Sequence, residues 1–469
     1  MMSVLWNSSE ILQALAINDD KLQNFGVLGV SIDSRKINNG DLFVCLKGDV
    51  YDGHDFAQQA IDKGAVAVIC DREILSDKTK EIIYSDTYQA LLELAKFRRS
   101  QISGEVIAIT GSVGKTTIKE ALYFVLKNFR KSYVSKGNYN NHIGLPLSLV
   151  NCPKDTEIAI FELGMNNPGE IEFLTNILNH NLAIINIVAL SHIGNFKDIE
   201  EIAISKSEIF SNMQKPAKII LNADNSQFAQ LLKIASEKYQ ILPENIYHFG
   251  SNNLDNLQIN NIEILDNLQC AVSFVLAGQE YKMQLNFSNK EIAKLFVIIP
   301  LIVDILHLNV AKALKYLSKF MPLQGRGNLV KLKYKNLRII NDTYNAGPDS
   351  MKQALITLAN LGKYVQGRKI AILADMLELG SQSEKFHFEL SNQLMKLDID
   401  KVITIGEEMK NLYDNLQDHN KLIHYKDSAI AASEIDKYLM KDDLILIKGS
   451  RGLRTEKIFD QLIKLENDL

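Results

Sequence analysis

The chain has 469 residues, of which 46% are hydrophobic and 23% are charged, and its formal net charge is −4. This composition is typical of a soluble globular protein, and the length favours about three domains. Because the small negative charge includes no long block of one sign, nucleic acid and membrane surfaces are not expected as partners. The four cysteines are scattered without a C-x-x-C pair, which predicts reduced, buried thiols rather than a metal cluster or a disulfide framework.

Neither the N-terminus nor the most apolar stretch predicts export or membrane insertion. The N-terminal sequence MMSVLWNSSEILQAL lacks the basic start and the small-residue cleavage site of a signal peptide. Residues 295–306 form the most apolar stretch, which is too short to span a bilayer and includes Asp304. We therefore expect a cytoplasmic protein.

Residues 1–98 predict a small N-terminal α/β domain. Short apolar runs such as LFVCL and AVAVIC alternate with turn-rich stretches, and an amphipathic helix near ALLELAKFRRS ends the region.

Residues 99–325 predict a central domain with a mostly parallel sheet. The strand EVIAIT, a glycine-rich loop and a helix follow one another, and EIAIFEL, LAIINIVAL and AKIILNAD continue the alternation. The helix has an apolar face at the spacing of a 3.6-residue period. That face comprises Ile118, Ala121, Leu122, Val125 and Leu126.

Residues 326–469 restart the alternation with LRIINDTY, KIAILAD, KVITIG and DLILIKGS, which predicts a Rossmann-like C-terminal domain. The fold class is therefore α/β with three domains. Ligands of open α/β sheets bind at the carboxyl ends of strands, so we expect the chemistry in a cleft between the second and third domains. Polar residues at or just past such ends are Glu162, His192, Asp342, Asp375 and Lys448.

The stretch AITGSVGKTT, residues 108–117, predicts a phosphate-binding loop of unusual length. Only Ser112 and Val113 separate Gly111 from Gly114, where the common pattern has four residues. Glycines let backbone N–H groups turn toward an anion, and the helix N-terminus adds partial positive charge. A tight turn with a solvated lysine is the alternative, which the G-K-T-T order disfavours. The predicted nucleotide-binding residues are Gly111, Ser112, Val113, Gly114, Lys115, Thr116 and Thr117.

The pattern T-G-x-x-G-K-T-T resembles the ATP loop of the Mur ligase family, the ATP-dependent amide-forming enzymes of peptidoglycan precursor synthesis, which are related to folylpolyglutamate synthetases. Further stretches are similar to its MurF branch and cover almost the whole chain in order. They are SIDSRK (31–36), GDLFV (40–44), KGDVYDGHDF (47–56), GNYNNHIGLP (137–146), NDTYNAGPDSM (341–351), ADMLELG (374–380) with His387, and KGSRG (448–452) with Glu456. Taken singly, D-G-H-D and N-Y-N-N are also typical of surface turns.

The resemblance implies ATP-driven joining of D-Ala-D-Ala to UDP-N-acetylmuramoyl-tripeptide through an acyl phosphate, the last cytoplasmic step of UDP-muramyl-pentapeptide synthesis. These two small molecules are the expected substrates, ATP and two Mg²⁺ ions the expected cofactors, and a monomer the expected state. The implied catalytic residues are Lys115, Glu162, His192 and Lys206. The implied metal ligands are Thr116, Glu162, His192 and Lys206, the last as a carbamylated lysine.

The resemblance also implies residues around both nucleotides. Arg326, Asp342 and Tyr344 are expected to close over ATP. The residues expected to bind the UDP-muramyl substrate are Ser31, Asp33, Ser34, Arg35, Lys47, Asp52, His54, Asn140 and Asn141. Without the resemblance, Glu162 would be interpreted as a solvated carboxylate, His192 as a core or surface residue and Lys206 as an unmodified helix lysine.

The sequence departs from the family pattern at three positions. Lys294 stands where an asparagine usually contacts adenine, Gly347 replaces the usual asparagine of N-A-N-P, and Asn186 is shifted by one position and receives no role. Two other hypotheses remain: another amino-acid ligase of the superfamily, including a folylpolyglutamate synthetase-like enzyme, and a non-catalytic nucleotide switch. A switch would associate with a macromolecule in a nucleotide-dependent way.

Overall fold

The structure is a computed structural model that describes residues 4–18, 24–190, 193–253, 255–416 and 421–468. The described residues form two compact units. The first unit lies within Met1–Ile109, Leu126–Ile184 and Glu208–Lys218, and the second within Thr110–Val125, Ile185–Ser207 and Ile219–Leu469. The predicted domain boundaries, 1–98, 99–325 and 326–469, stay a prediction.

The first unit begins with the elements of the predicted N-terminal domain. These are β1 (Trp6–Asn7), α1 (Ser8–Leu15), β2 (Gly26–Val27), β3 (Gly29–Ser31), β4 (Asp41–Val44), α2 (Ala57–Asp62), β5 (Ala67–Cys70), β6 (Glu81–Ile83) and α3 (Thr87–Gln101). Strands β3 to β6 form a four-stranded sheet in chain order, and every pair is parallel. The amphipathic helix predicted near ALLELAKFRRS is α3, and the side chain of Asp86 caps its first turn.

The rest of the first unit continues the strand-helix alternation. Its elements are β7 (Glu105–Thr110), β8 (Ser132–Val134), α5 (Gly144–Val150), β9 (Ile158–Glu162), α6 (Glu170–Leu178) and β10 (Leu182–Ile185), while α4 (Lys115–Leu126) follows β7 in the chain. The strands are neighbours in the order β8, β9, β7, β10, and β9 pairs parallel with both β7 and β8. All five predicted apolar residues of α4 are fully buried, which confirms the predicted face.

The second unit contains a mixed group of strands that the sequence reading only partly predicted. It includes α7 (Ile199–Ser207), β11 (Lys218–Asn222), α8 (Phe228–Glu237), β12 (Ile246–Gly250), β13 (Leu257–Ile264), β14 (Cys270–Leu276), β15 (Gln279–Leu285), α9 (Lys290–Leu295), α10 (Ile298–Ile305) and α11 (Val310–Leu317). Strands β11 to β13 pair in parallel, whereas β13, β14 and β15 pair antiparallel. Ala277 and Gly278, both at positive φ, make the tight turn between β14 and β15.

The C-terminal part of the second unit is a six-stranded sheet covered by helices. Its elements are β16 (Asn328–Lys331), β17 (Arg338–Asp342), α12 (Pro348–Leu361), β18 (Lys369–Ala374), α13 (Ser383–Lys396), β19 (Lys401–Ile405), α14 (Glu408–Asn415), β20 (Leu422–Tyr425), α15 (Ser428–Glu434), β21 (Leu444–Lys448) and α16 (Glu456–Asn467). The strand order is β16-β17-β21-β18-β19-β20, and only the pair of β16 with β17 is antiparallel. The mostly parallel sheet with its covering helices confirms the predicted α/β architecture of this region.

Two further sequence predictions can be compared with the fold. All four cysteines are buried and free, as predicted. Across the described ranges, none of the helices combines the length and the apolar character that crossing a membrane requires. The apolar stretch 295–306 contains the eight-residue α10, which is buried on nearly every side chain.

Candidate functional site

The predicted phosphate loop joins the end of β7 at Thr110 to the start of α4 at Lys115. Gly111 and Gly114 have φ values of +150° and +82°, which favour glycine. A Cβ on Gly111 would lie 1.6 Å from Oδ1 of Asn186, so a side chain cannot be accommodated there. The Nζ atom of Lys115 donates to the carbonyl oxygen of Gly111 at 2.7 Å, which holds the ammonium group over the loop. Strand, turn and helix thus provide the geometry of an anion cradle.

A segment for which the sequence predicted no function is hydrogen-bonded to this loop. We call residues 186–190, which follow β10, the support segment. Ser112 donates from its N–H to Ile187 O at 2.8 Å and from Oγ to Ala189 O at 2.8 Å. Asn186 is fully buried, and its Nδ2 donates to Val113 O at 2.7 Å. The strand predicted as LAIINIVAL therefore ends early, because the polar groups after Ile185 bond to the phosphate loop instead of a neighbouring strand.

Lys206 lies in the last turn of α7 and is only 2% exposed. Burial lowers the pKa of its amine well below the usual range, and the positive charge of Lys115 adds to this effect. The structure thus places two lysines of the predicted site close enough to influence each other. His192, the predicted metal ligand on the chain before α7, lies outside the described residues.

Arg326 contacts the phosphate loop from a position far along the chain. Its Nη2 atom donates to Oγ1 of Thr116 at 3.0 Å, and its guanidinium carbon lies 3.5 Å from the centre of the Tyr344 ring. Stacking on an aromatic face keeps the planar guanidinium oriented. Three residues predicted around ATP, Arg326, Tyr344 and Thr116, are therefore gathered in one place.

Asp342, at the end of β17, pairs with Lys448, at the end of β21. Lys448 Nζ lies 2.6 Å from Asp342 Oδ2 and also donates to Asn345 O at 2.9 Å. Burial raises the pKa of the Asp342 carboxyl, against the opposing influence of the Lys448 ammonium group. The positive charge of Arg326 opposes this rise in the same way.

Side-chain hydrogen bonds connect the three C-terminal motifs. Ser450 Oγ accepts from Leu377 N at 2.9 Å and donates to Ala346 O at 3.2 Å. His387 Nε2 accepts from Met376 N at 3.0 Å. Asp375, which the sequence placed at a strand end, accepts from Met409 N at 2.7 Å near the start of α14. Asp375, His387 and Ser450 therefore shape the loops of this site from within.

In the first unit, Asn140 and Glu162 form one contact of the predicted site. Glu162 ends β9, is 2% exposed and accepts from Nδ2 of Asn140 at 2.8 Å. The neighbouring Asn141 uses its side-chain oxygen to accept from Gly144 N at 2.8 Å, at the start of α5. The two asparagines thus differ: Asn140 orients a buried carboxylate, whereas Asn141 supports a helix start.

The residues of SIDSRK that were predicted to bind the UDP-muramyl substrate form one local group. Arg35 Nε lies 2.8 Å from Oδ1 of Asp33, and its hydrogen bond lowers the pKa of that carboxyl to about 2. Ser31 Oγ accepts from Asp33 N at 3.1 Å, and Ser34 Oγ donates to Gln59 Oε1 at 2.8 Å. Because the Arg35 side chain is 82% exposed, it has room to reach a ligand.

Lys47, Asp52 and His54 form a second group around a short turn. Lys47 is exposed, and its backbone forms an antiparallel β-bridge with that of Asp52. The Asp52 carboxylate contacts His54 Nδ1 at 2.5 Å. His54 Nε2 accepts from Asp71 N at 3.1 Å, so both ring nitrogens of this buried histidine are engaged within the protein. Arg72, which the sequence reading missed, lies 3.2 Å from Asp52.

Two of the departures from the family pattern have a clear structural setting. Lys294 forms an ion pair with Asp224, which also accepts from Ser251 Oγ at 2.9 Å. Gly347 precedes α12 in an extended conformation, and its N–H donates to Ser350 Oγ at 3.0 Å. Gly347 thus serves as a helix start without an asparagine side chain.

Family descriptions match most of the chain. The description "Mur ligase family, catalytic domain" matches residues 27–102, "Mur ligase middle domain" matches 109–292, and "Mur ligase, glutamate ligase domain" matches 325–451. Together these matches include the phosphate loop, Lys206, Arg326 and the C-terminal motifs.

Relatives and solved structures are similar over nearly the full length. The chain is 36% identical to the UDP-N-acetylmuramoyl-tripeptide–D-alanyl-D-alanine ligase of Rickettsia prowazekii (strain Madrid E), over 97% of this chain and 99% of that protein. The enzyme of the same name from Bacillus subtilis (strain 168) is 32% identical, over 98% of each chain. A crystal structure of MurF from Acinetobacter baumannii has a TM-score of 0.85 at 26% identity, covering 98% of this chain and 99% of its own.

A MurF ligase from Thermotoga maritima in complex with ADP is also similar, with a TM-score of 0.77 and 26% identity over 97% of this chain and all of that one. These likenesses confirm the α/β fold with three domains. By matched domains, sequence identity and fold, this chain belongs to the Mur ligase family, in its MurF branch.

Proposed function

We propose that this chain is an ATP-dependent ligase that joins D-Ala-D-Ala to UDP-N-acetylmuramoyl-tripeptide, as a monomer in the cytoplasm. The observation that carries the proposal is the phosphate loop with Lys115 and Arg326 on it, in a chain related to MurF ligases along its whole length. The other amino-acid ligases are not favoured, because three relatives of 32–36% identity share one enzyme name.

The first half of the reaction is phosphoryl transfer to the tripeptide carboxylate. A carboxylate oxygen attacks the γ-phosphorus of ATP, the bond to the β,γ-bridging oxygen breaks, and ADP leaves with an acyl phosphate formed. Lys115 and Arg326 supply positive charge where negative charge accumulates, and the glycine loop supplies N–H groups.

The second half is amide formation. The neutral amine of D-Ala-D-Ala attacks the acyl carbon, a proton is lost, and inorganic phosphate leaves. Water would waste the acyl phosphate, so the site has to exclude it. Arg326 and Tyr344, stacked at 3.5 Å, and the Asp342–Lys448 pair are the groups proposed to shield the intermediate from water.

The proposed metal ligands are oxygen donors of the kind Mg²⁺ prefers. Thr116 is the second residue of α4 and Glu162 is the last residue of β9, and both are buried. A carbamylated Lys206 would add an anionic oxygen. His192 is the fourth proposed ligand. Within the described ranges, no three His, Cys, Asp or Glu side chains form a metal-binding group, so the set depends on the hydroxyl of Thr116 and the modified lysine. Mg²⁺ would neutralise phosphate charge during transfer.

Lys206 fits carbamylation because the reaction needs a neutral amine. Its buried position lowers the pKa of the amine, which favours the neutral form relative to an exposed lysine. We expect Lys206→Ala to lose nearly all turnover and short carboxylates such as propionate to restore part of it. Full activity of Lys206→Ala without added carboxylate would contradict the proposed ligand.

The N-terminal region, residues 1–98, is proposed to bind the UDP-muramyl substrate. The exposed Arg35 guanidinium and Lys47 ammonium groups are proposed to contact its diphosphate. Asp33 and Asp52 orient neighbouring groups there, and Ser31, Ser34 and His54 complete the two turns. Asn140 and Asn141 are proposed to contact the muramyl peptide.

The deciding experiment measures phosphate release from Mg·ATP by the purified protein, with each substrate omitted in turn and the products weighed by mass spectrometry. The proposal expects release only with both UDP-N-acetylmuramoyl-tripeptide and D-Ala-D-Ala, together with their amide. Phosphate release that requires neither substrate would favour the nucleotide switch. Lys115→Ala is the control, since it should fold normally and lose phosphoryl transfer.

A further inference from the structure

We propose that Asp349 is a positioning residue that fixes the phosphate loop indirectly, by holding the C-terminal end of the support segment (186–190). Asp349 is the second residue of α12, and nothing in the reaction itself requires it. The inference rests on the proposed function for its kinetic consequences, whereas its structural consequences are independent of any substrate.

The contact is a hydrogen bond between distant parts of the chain. Leu190 N donates to Asp349 Oδ2 at 2.9 Å, across 159 residues of sequence. A carboxylate in the first turn of a helix ordinarily interacts with the N–H groups of its own helix. Here the carboxylate binds the main chain of another element, and a charged acceptor makes such a bond stronger than a neutral one.

The support segment can transmit this restraint because its residues 186, 187 and 189 are bonded to the loop. Ser112 bonds to Ile187 and to Ala189, with Ala189 N donating to Ser112 Oγ at 2.9 Å and Ser112 N donating to Ile187 O at 2.8 Å. The Asn186 side chain reaches Val113 O. Movement of the support segment would therefore displace the backbone that cradles the phosphates.

Two asparagines, one at the end of β11 and one three residues later, also bond to the same segment. Asn222 Nδ2 donates to Asn186 O at 3.1 Å, and Asn225 Nδ2 donates to Val188 O at 2.8 Å. These bonds restrain residues 186 and 188, and Asp349 restrains residue 190. The three acceptor or donor pairs thus hold alternate residues of the segment, and Asp349 holds the one at its C-terminal end.

A second close approach lies four residues further on. Gly194 N donates to Glu378 O at 3.3 Å, and a Cβ on Gly194 would lie 2.8 Å from Gly380 N. The C-terminal motifs therefore contact the chain after β10 at residues 190 and 194. Asp349 belongs to a contact surface rather than to an isolated surface bond.

The competing explanation is that Asp349 only stabilises the first turn of α12. Hydrogen exchange of the full-length protein separates the two. If Asp349 restrains the loop, Asp349→Ala should speed exchange in peptides that cover residues 106–118 and 183–190. If it only stabilises the helix, faster exchange should be confined to residues 348–361.

Kinetics provide the second test. We expect Asp349→Ala to raise the KM for ATP about tenfold, the effect of losing one charged hydrogen bond. Asp349→Asn should restore most of the affinity and the exchange protection, because an amide oxygen still accepts from Leu190 N. Asp427→Ala is the matched control: Asp427 caps α15 by accepting from Ala429 N at 2.8 Å, and its loss should leave the phosphate loop unchanged.

Unchanged exchange in residues 106–118 together with an unchanged KM for ATP in Asp349→Ala would overturn the inference. An absence of ligase activity in the unmodified protein would refute the proposed function instead. In that case the exchange data and a direct ATP-binding titration still decide the role of Asp349.

Discussion

Replacing Asn186 by aspartate should weaken nucleotide binding while leaving the size of the side chain unchanged. In the structure, Asn186 Nδ2 donates to Val113 O at 2.7 Å, and Oδ1 accepts from Ile187 N at 2.7 Å. Aspartate retains the second bond and loses the first, because a carboxylate has no hydrogen to donate. It also places a negative charge beside Gly111, where the phosphates are expected to bind.

The magnitude follows from the burial of the site. Asn186 is fully buried, so Val113 O would lose its partner without a replacement from water. An unsatisfied buried acceptor costs about 1–3 kcal/mol, and the repulsion between the new carboxylate and the phosphates acts in the same direction. If this cost falls on the loop conformation that binds nucleotide, ATP affinity should fall roughly 5- to 150-fold.

The assay is a calorimetric titration with ATP, beside a thermal unfolding scan of the same protein. Asn151→Asp is the control, because Asn151 makes equivalent bonds to a residue outside the loop: its Oδ1 accepts from Val30 N and its Nδ2 donates to Val30 O, both at 2.9 Å. We expect Asn151→Asp to lower stability and preserve ATP affinity. Equal ATP affinities for Asn186→Asp and the unmodified protein would refute the reasoning.

Three other substitutions test separate parts of the structure. Arg326→Lys loses the planar stacking on Tyr344, worth roughly 0.5–2 kcal/mol, so kcat/KM for ATP should fall about 2- to 30-fold; an unaltered value would argue against this contact. Lys448→Met leaves the Asp342 carboxylate without its ion-pair partner at 2.6 Å and should destabilise the protein by about 3 kcal/mol. The double variant with Asp342→Asn should recover part of this stability. An unchanged unfolding temperature of Lys448→Met in a thermal scan would contradict the prediction. Burial lowers the pKa of His180 from 6.5 to about 3. As the pH falls, the imidazole therefore becomes protonated in the unfolded chain before it does so in the folded protein. The contribution of the neutral His180 to the free energy of unfolding is complete above pH 6.5 and declines below it. At pH 5 the loss is about 2 kcal/mol, and His180→Phe should reduce the difference in unfolding free energy between pH 7.5 and pH 5 by that amount.

The local features of the site could be predicted from the sequence. The phosphate loop depends on residues within one strand-turn-helix unit, and the positive φ of Gly111 and Gly114 is a requirement that the glycine spacing already encodes. The apolar face of α4 follows from a 3.6-residue period in the same way. Short-range geometry limits each of these to one arrangement, so no knowledge of distant residues was needed.

The contacts between distant residues were decided only by the tertiary structure. Arg326 and Thr116 meet across 210 residues, and Asn186 and Val113 across 73. An asparagine after a strand looks the same in sequence whether it faces a loop, a helix or solvent, and only the hydrogen bond of Asn186 to Val113 O distinguishes these cases. The antiparallel strands β13 to β15 and the burial of Lys206 were likewise beyond local patterns. The sequence by itself determined that the chain carries a nucleotide loop within an α/β fold, because those signals are local. The tertiary structure decided which distant side chains hold that loop in place, because hydrogen-bond partners depend on how the elements pack.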